Sequence, residues 1–387
     1  MTIPLKYNIR SLLVRRTSTL MTVMSIALVV CIFVGIMALA QGLETALVTS
    51  GDPLNVLVRR QGSNAELSSS VPREAFRTLA YWPGVQSDAA GDPLAAAEIV
   101  TAVNLPKHNQ QQGANITIRG VSANSMQLRR QMRLIEGRMF RPGLREVIVG
   151  RRVRERFQNT HLGDRLNFGK AQWQVVGIFE AGNTAFDSEI WADVNQLADD
   201  FNRQTYSSAL LRATDAAAAQ ALIERINNDR RFNLMGQIES DYYAEQTQAA
   251  SAIKGLALFI AFVMGIGACF AAMNTMYAAV AYRTREIATL QVLGFKPWSV
   301  LLSFMTESLL LSLIGGLIGC LLVLPVNGLT TGTVNWQTFS EVAFAFRITP
   351  NLLLTGMGFA ALMGLLGGLW PARQASRQTP AAVLREA

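Results

Sequence analysis

Charge and chemistry-bearing side chains are scarce in this 387-residue chain: 16% of its residues are charged, it has two histidines and three cysteines, and half of it is hydrophobic. His108 and His161 stand without Cys, His or acidic neighbours at ligand spacing, which leaves no zinc-type metal site and argues against a hydrolase triad. No serine lies in G-x-S-x-G. The phosphate-cradling pattern G-x-x-x-x-G-K-[ST] is also missing, so ATP cannot be bound through that motif. Cys31, Cys269 and Cys320 all fall in apolar stretches, so the polar middle of the chain has no disulfide framework. No catalytic, cofactor-binding or metal-binding residue is therefore assigned.

What is present in excess is uncharged sequence. Residues 17–43, 255–282, 308–340 and 348–372 carry no charge, and each holds an apolar core near the roughly 20 residues a helix needs to cross a bilayer. Four transmembrane helices are expected, at 20–41, 255–281, 299–325 and 351–370. The first apolar run is too long for a signal peptide, despite the basic residues before it and Ala38-Leu39-Ala40 near its end, which favours a retained anchor. Residues 42–250 are neutral, with 23 basic and 23 acidic side chains; the remaining 12 basic and 4 acidic residues supply the whole net charge of +8. The excess flanks one side of the spans, from Lys6, Arg10, Arg15 and Arg16 to Arg283, Arg285, Lys296, Arg373, Arg377 and Arg385. The positive-inside rule places both termini and the 282–298 loop in the cytoplasm, and leaves a nucleic-acid partner without support.

Residues 3–18 put Leu5, Ile9, Leu12 and Leu13 on one face of an amphipathic helix, suited to the inner leaflet or to an orientation signal. Residues 41–49 and 241–252 read as helical continuations of the first two spans, a paired stalk around an inserted domain. Within that domain, residues 54–58, 98–103, 115–118, 135–140, 146–150, 163–168, 173–179 and 208–212 read as strands; residues 71–79, a short segment ending at Phe157, and 216–227 read as helices. The mixture suggests two α+β lobes. Ten arginines crowd residues 129–156, which suits either an anionic partner face or a self-paired surface.

After the second span, Arg283-Thr-Arg285-Glu286-Ile287-Ala288-Thr289-Leu290-Gln291-Val292-Leu293-Gly294 reads as a short amphipathic helix. Ile287, Leu290 and Leu293 could form a ridge for a soluble partner, with Arg283 and Arg285 at the membrane surface; the same segment suits a basic stop-transfer loop lying in the headgroups. Glu307 is the one good candidate for an intramembrane polar group, and reaching toward the interface or pairing with a cytoplasmic-side arginine, a structural or conformational role, suits it better than proton relay. The spans containing Gly315, Gly316, Gly319 and Gly364, Gly367, Gly368 carry G-x-x-x-G spacings that favour close helix packing, in a bundle or a dimer.

These features together resemble the permease subunits of the MacB/FtsX-like ABC transporter superfamily, the mechanotransmission or type VII permeases. The resemblance rests on Asn274, Val280, Arg283, Arg285-Glu286-Ile287-Ala288, Leu290 and Leu293-Gly294, on Glu307-Ser-Leu with Gly315, Gly316 and Gly319, and on Pro371-Ala372-Arg373-Gln374-Ala375 with Pro380, Leu384 and Arg385. Glu136-Gly-Arg138-Met-Phe140, Glu146-Val-Ile-Val-Gly150 and Val175-Val-Gly-Ile-Phe179 carry it into the inserted domain. It implies four transmembrane α-helices with a large α+β extracytoplasmic domain inserted between helices 1 and 2. The organisation expected is a cytoplasmic amphipathic helix at 1–19, the first span, a MacB-like core domain with helical stalk ends at 42–254, the second span, and a coupling loop at 282–298. The third span, an extracytoplasmic loop at 326–350, the fourth span and a cytoplasmic tail at 371–387 complete it.

The resemblance also implies a role and partners. A separate cytoplasmic ABC ATPase, which binds ATP and Mg, would dock on Arg283, Arg285, Glu286, Ile287, Leu290, Leu293 and Gly294. A second permease subunit, a periplasmic adaptor and membrane lipids are the other expected partners, in the bacterial inner membrane. The implied function is non-catalytic: coupling ATP hydrolysis in the partner to motion of the extracytoplasmic domain, for export or extraction of an amphiphile, lipid or peptide. The alternative is a regulatory subunit that activates an extracytoplasmic enzyme such as a cell-wall hydrolase.

Overall fold

The computed structural model describes residues 16–108, 113–129, 131–335 and 338–378. Most of the expected amphipathic helix at 3–18, together with Pro380, Leu384 and Arg385, lies outside them. The chain forms two compact units: residues 42–250 with 330–345, and residues 1–41, 251–329 and 346–387. It therefore passes from one unit to the other four times.

The first of these units is built on a single sheet. Its strands are β1 (Asn55–Arg60), β2 (Ala95–Pro106), β3 (Gly113–Val121), β4 (Arg133–Gly137), β5 (Glu146–Gly150), β6 (Arg165–Phe168), β7 (Ala171–Glu180), β8 (Glu189–Asp193), β9 (Ser208–Arg212) and β10 (Leu234–Ile238). They are ordered β10-β1-β9-β2-β3-β8-β5-β7-β4, with β6 on β7; β3 with β8 and β5 with β7 are parallel, and the other pairs antiparallel. Strand side chains alternate between faces. On one face they form two separate cores, one around Ile118, Val149, Trp173 and Ile190 and the other around Val56, Val58, Leu79 and Leu211. On the other face Leu57, Ala96, Ile148, Phe179, Trp191 and Leu210 join one continuous core with Phe186, Tyr242 and Tyr243. The expected two lobes are thus two cores on one face of a shared sheet. Fully burying each such large apolar side chain contributes about 1.5–3 kcal/mol.

Two strands complete this unit from far along the sequence. Residues 326–350, expected as a loop, contain a hairpin of β11 (Thr330–Asn335) and β12 (Ser340–Ala345). Its Val342, Ala343 and Phe344 are buried. Glu341 pairs with Lys107 and Arg156, and Arg152 donates to the Ala343 carbonyl. Thr117 and Ser340 hydroxyls lie 2.7 Å apart, the Ala343 N–H donates to the Ser188 hydroxyl at 2.9 Å, and Asn335 donates to Gln246 at 2.8 Å. Thr and Gly beside an uncharged run gave no strand signal, and the strand pattern is stabilised by partners more than 80 residues away.

The other unit is a helical bundle. The helix α1 (Arg16–Val48) enters it, and α8 (Gln248–Tyr282), α9 (Thr284–Val292), α10 (Pro297–Val323) and α11 (Pro350–Ser376) complete it; α2 to α7 are short helices of the sheet unit, α2 (Arg73–Ala80), α3 (Ser125–Leu128), α4 (Arg151–Arg156), α5 (Val194–Asp200), α6 (Ala216–Asn228) and α7 (Glu239–Glu245). Four helices, α1, α8, α10 and α11, are long and apolar enough to cross a membrane. Proline opens α10, and Thr349 caps α11 by accepting the Leu352 N–H at 3.3 Å. The expected helix over 241–252 is interrupted: α7 ends at Glu245 and α8 starts at Gln248, with a turn between.

Glycine sets the spacing of this bundle. A Cβ at Gly319 would lie 2.5 Å from the Ala27 carbonyl oxygen, and one at Gly315 2.9 Å from that of Val23, so the α10 backbone runs against α1. Gly364 and Gly368 bring α11 onto Ser312 and Ser308 of α10, and the Ser308 hydroxyl donates to the Gly364 carbonyl at 2.6 Å. The G-x-x-x-G stripes therefore serve packing within the chain.

Candidate functional site

Between the second and third spans the helix is interrupted at Arg283. This residue departs from helical dihedrals (φ −106°, ψ 14°), so α8 ends before it and α9 starts after it. Its N–H still reaches the Val280 carbonyl, and its own carbonyl accepts the Ile287 N–H at 2.9 Å. The guanidinium is buried and donates to Glu307 of α10 at 3.1 Å. Pairing of Glu307 with an arginine, anticipated in the sequence, is thus present.

At its far end α9 stops in a Schellman motif. Gly294 has φ +93°, its N–H donates to the Gln291 carbonyl, and the Phe295 N–H donates to that of Leu290, at 3.1 Å each. A side chain at 294 would be strained by the backbone alone. Gly294 therefore shapes the helix end.

The expected ridge of Ile287, Leu290 and Leu293 is corrected by the burial pattern. Each step of three residues lags a full helical turn by about 60°, so residues 287 and 293 point about 120° apart. Ile287 and Ala288 are buried, Ile287 in a cluster with Val23, Met276, Val280, Val300 and Phe304; Leu290 is half-buried. The exposed face consists of Arg285, Glu286, Thr289, Val292 and Leu293. Leu293 and Val292 are 68% and 64% exposed, an apolar pair at the tip of the helix, and Trp298 at the start of α10 is 65% exposed. Val292 and Trp298 were missed in the sequence. A helical wheel drawn with Ile287 and Ala288 inward finds Val292.

The sheet unit has its own concentration of charge, none of it at a surface. On the face of the continuous core, Arg119 donates to Glu66, Glu98 and Glu189, and Arg129 to Glu98 and Glu239. All six side chains are buried. Burial by itself raises the Glu98 carboxyl, but the guanidinium groups of Arg129 and then Arg119 override it and bring it down to about 2. Burial dominates at Glu239, whose pKa is raised although Arg129 and the Asn55 amide oppose the shift. Four carboxylates against two guanidiniums make a buried, extensively paired polar core, in which the Arg129 Nε alone of the two guanidiniums' nitrogens lacks a partner, so it is a structural feature.

The arginine-rich run 129–156 resolves into internal pairs. Arg138 holds Glu146 at 2.5 Å, Arg145 holds Asp200 at 3.0 Å, Arg133 and Arg151 hold Glu180, and Arg154 pairs with Glu136. Both histidines are exposed and their rings lie 6.3 Å apart; among the described residues no group of three or more metal-ligating side chains exists.

Comparison with known proteins bears on the whole chain. Residues 19–229 match the family described as MacB-like periplasmic core domain, and residues 258–380 match FtsX-like permease C-terminal. An uncharacterized ABC transporter permease of Bacillus subtilis, YknZ, is 23% identical over 98% of both chains. The macrolide export ATP-binding/permease protein MacB of Brucella melitensis is 26% identical over 98% of this chain, which spans 60% of that protein's length. Among solved structures, the extracellular domain of YknZ aligns over 47% of this chain at 18% identity with a TM-score of 0.37.

Proposed function

Because the chain belongs to the family of ABC transporter permeases that carry a MacB-like periplasmic core domain and an FtsX-like C-terminal region, we propose that it is the non-catalytic permease subunit of a complex whose ATPase is another subunit. ATP and Mg are bound and turned over on that partner, and its closure pushes on α9. The motion reaches the sheet unit, held on the extracytoplasmic side of the bacterial inner membrane with both chain termini in the cytoplasm, and exports or extracts an amphiphile, lipid or peptide. A second permease subunit and a periplasmic adaptor complete the machine, with lipids against the exposed Phe259, Phe262 and Phe270 of α8.

The observation that carries this reading is α9 itself: a helix anchored at one end by a buried ion pair, stopped at the other by Gly294, and presenting Val292 and Leu293 outward. A membrane protein has little reason to hold such an apolar tip rigidly beside a charged face unless something grips it. Export of an amphiphile fits the Brucella relative, named for macrolides. It also fits the third span, whose carboxylate is engaged by Arg283.

The test is recovery of the ATPase with the tagged chain from native membranes. Leu293→Asp or Val292→Asp is expected to cut that recovery by about tenfold or more, the effect of losing about 1.4 kcal/mol or more at the contact, with membrane insertion unchanged. Recovery of no ATPase by the wild-type chain in any nucleotide state would sink the reading. A cell-wall hydrolase as the main partner cross-linked to residues 54–240 would turn it toward the regulatory role.

A further inference from the structure

The Arg283–Glu307 contact does more than neutralise a carboxylate in the third span. Arg283 is at the junction between α8 and α9, while Glu307 lies about 15 Å along α10 from its start. Around them Val280, Ile287, Val300, Phe304 and Leu311 form an apolar pocket closed by Ala372 and Ala375 of α11. Apolar packing is non-directional, and its resistance to a small displacement is spread over many weak contacts. An ion pair in that pocket is directional. A shift of α9 by about 1 Å takes the 3.1 Å contact beyond hydrogen-bonding range, and pulling two buried charges apart costs more than it does in water.

We propose that Arg283 and Glu307 are positioning residues, a latch that makes α9 and α10 move as one body, so that force applied to α9 is delivered to the third span. The inference rests on the reading of α9 as the ATPase-docking helix. Its direction of transmission follows from the fold: α10 is in turn locked against α1 through Gly315 and Gly319 and against α11 through Ser308 and Ser312. A push that reaches α10 therefore reaches the bundle.

The experiment is hydrogen–deuterium exchange on the intact complex, purified through a tag on this chain with its ATPase bound, with and without ATP and Mg. In the wild type, nucleotide is expected to change amide protection in both 284–293 and 300–312. In Glu307→Gln the change in 284–293 persists, exchange there is at least tenfold faster at rest, and the nucleotide response of 300–312 disappears. Exchanging the charges, Arg283→Glu with Glu307→Arg, restores that response at least in part. A merely structural role predicts faster exchange throughout α10 and α11, with no selective loss of the nucleotide response. A response of 300–312 in Glu307→Gln equal to that of the wild type overturns the latch, as does a charge exchange that behaves no better than the single variant. Should Glu307→Gln fail to insert, Arg283→Lys keeps the charge with a shorter, single-point donor and is expected to weaken the response of 300–312; an undiminished response overturns the proposal. The two readings separate cleanly: if Leu293→Asp loses the ATPase while Glu307→Gln still passes the nucleotide signal to α10, docking stands and the latch falls. If Leu293→Asp keeps the ATPase, the docking reading itself fails.

Discussion

Arg129 holds two buried carboxylates with opposite consequences. Glu98 has its pKa brought down to about 2, so its pairing stabilises the fold above the ordinary carboxylate pKa and that contribution is lost as pH falls toward 2. Glu239 has its pKa raised by burial, so the folded chain holds the proton more tightly than the unfolded chain does. Its contribution therefore favours folding on the acid side and fades as pH rises through the folded pKa. Removing either charge has different expected effects. Glu98→Gln leaves Arg129 and Arg119 short of a partner and costs about 3–5 kcal/mol at neutral pH, the range for breaking a buried pair. Glu239→Gln costs much less at neutral pH and flattens the dependence of stability on pH above the ordinary carboxylate range. Thermal unfolding of the detergent-purified chain, followed by the fluorescence of the buried Trp173 and Trp191, measures both. Equal losses in the two variants would contradict the assignment.

At the scale of elements, the α1–α10 contact makes the sharpest demand on sequence. A side chain at Gly319 meets backbone, the Ala27 carbonyl at 2.5 Å, which cannot rotate out of the way; at Gly358 on α11 a Cβ meets nothing within 4 Å. Gly319→Val is expected to separate the helices at a cost of about 1–3 kcal/mol, seen as lower membrane abundance and a lower melting temperature in detergent. Gly358→Ala is expected to be neutral or slightly stabilising through helix propensity. Unperturbed stability in Gly319→Val would remove the glycine seam from the account. Elements of this kind were legible in the sequence as spacing, while the partner of each stripe was not, because the pattern is the same whether the facing helix is in this chain or another. The helix α9 shows a related limit. Its existence could be read from Arg283 to Gly294, but the face it presents depends on which side α10 and α11 occupy, so Ile287 turned inward and Val292 outward. β8 was missed for another reason: Glu189 and Asp193 at its ends look like surface residues, yet they are buried with Arg119 and as the cap of α5.

For the whole molecule, four uncharged runs and a neutral middle were enough to foresee four long apolar helices and an inserted α+β domain. What they could not show is that the inserted domain is discontinuous, since residues 330–345 leave the bundle to finish it. The hairpin covers Arg152 and Thr117, satisfies Lys107 and Arg156 through Glu341, and buries Val342 and Phe344. Residues 42–250 alone would leave these groups without their partners and expose apolar surface. Burying a Val and a Phe contributes about 3 kcal/mol or more together, and each kcal/mol shifts the melting temperature of a domain of this size by about 2–4 °C. A soluble fragment of residues 42–250 with residues 328–347 appended by a long flexible linker is therefore expected to melt about 6 °C or more above the fragment without them. Glu341→Ala in the linked fragment should return part of that gain, because Lys107 and Arg156 then face each other unpaired across the vacated contact. Thr117→Cys with Ser340→Cys, whose hydroxyls are 2.7 Å apart in the native pair, is expected to oxidise to a disulfide in the linked fragment and in the full chain alike. Equal melting temperatures for the two fragments, together with failure of that disulfide to form in the full chain, would mean that the hairpin does not belong to the domain.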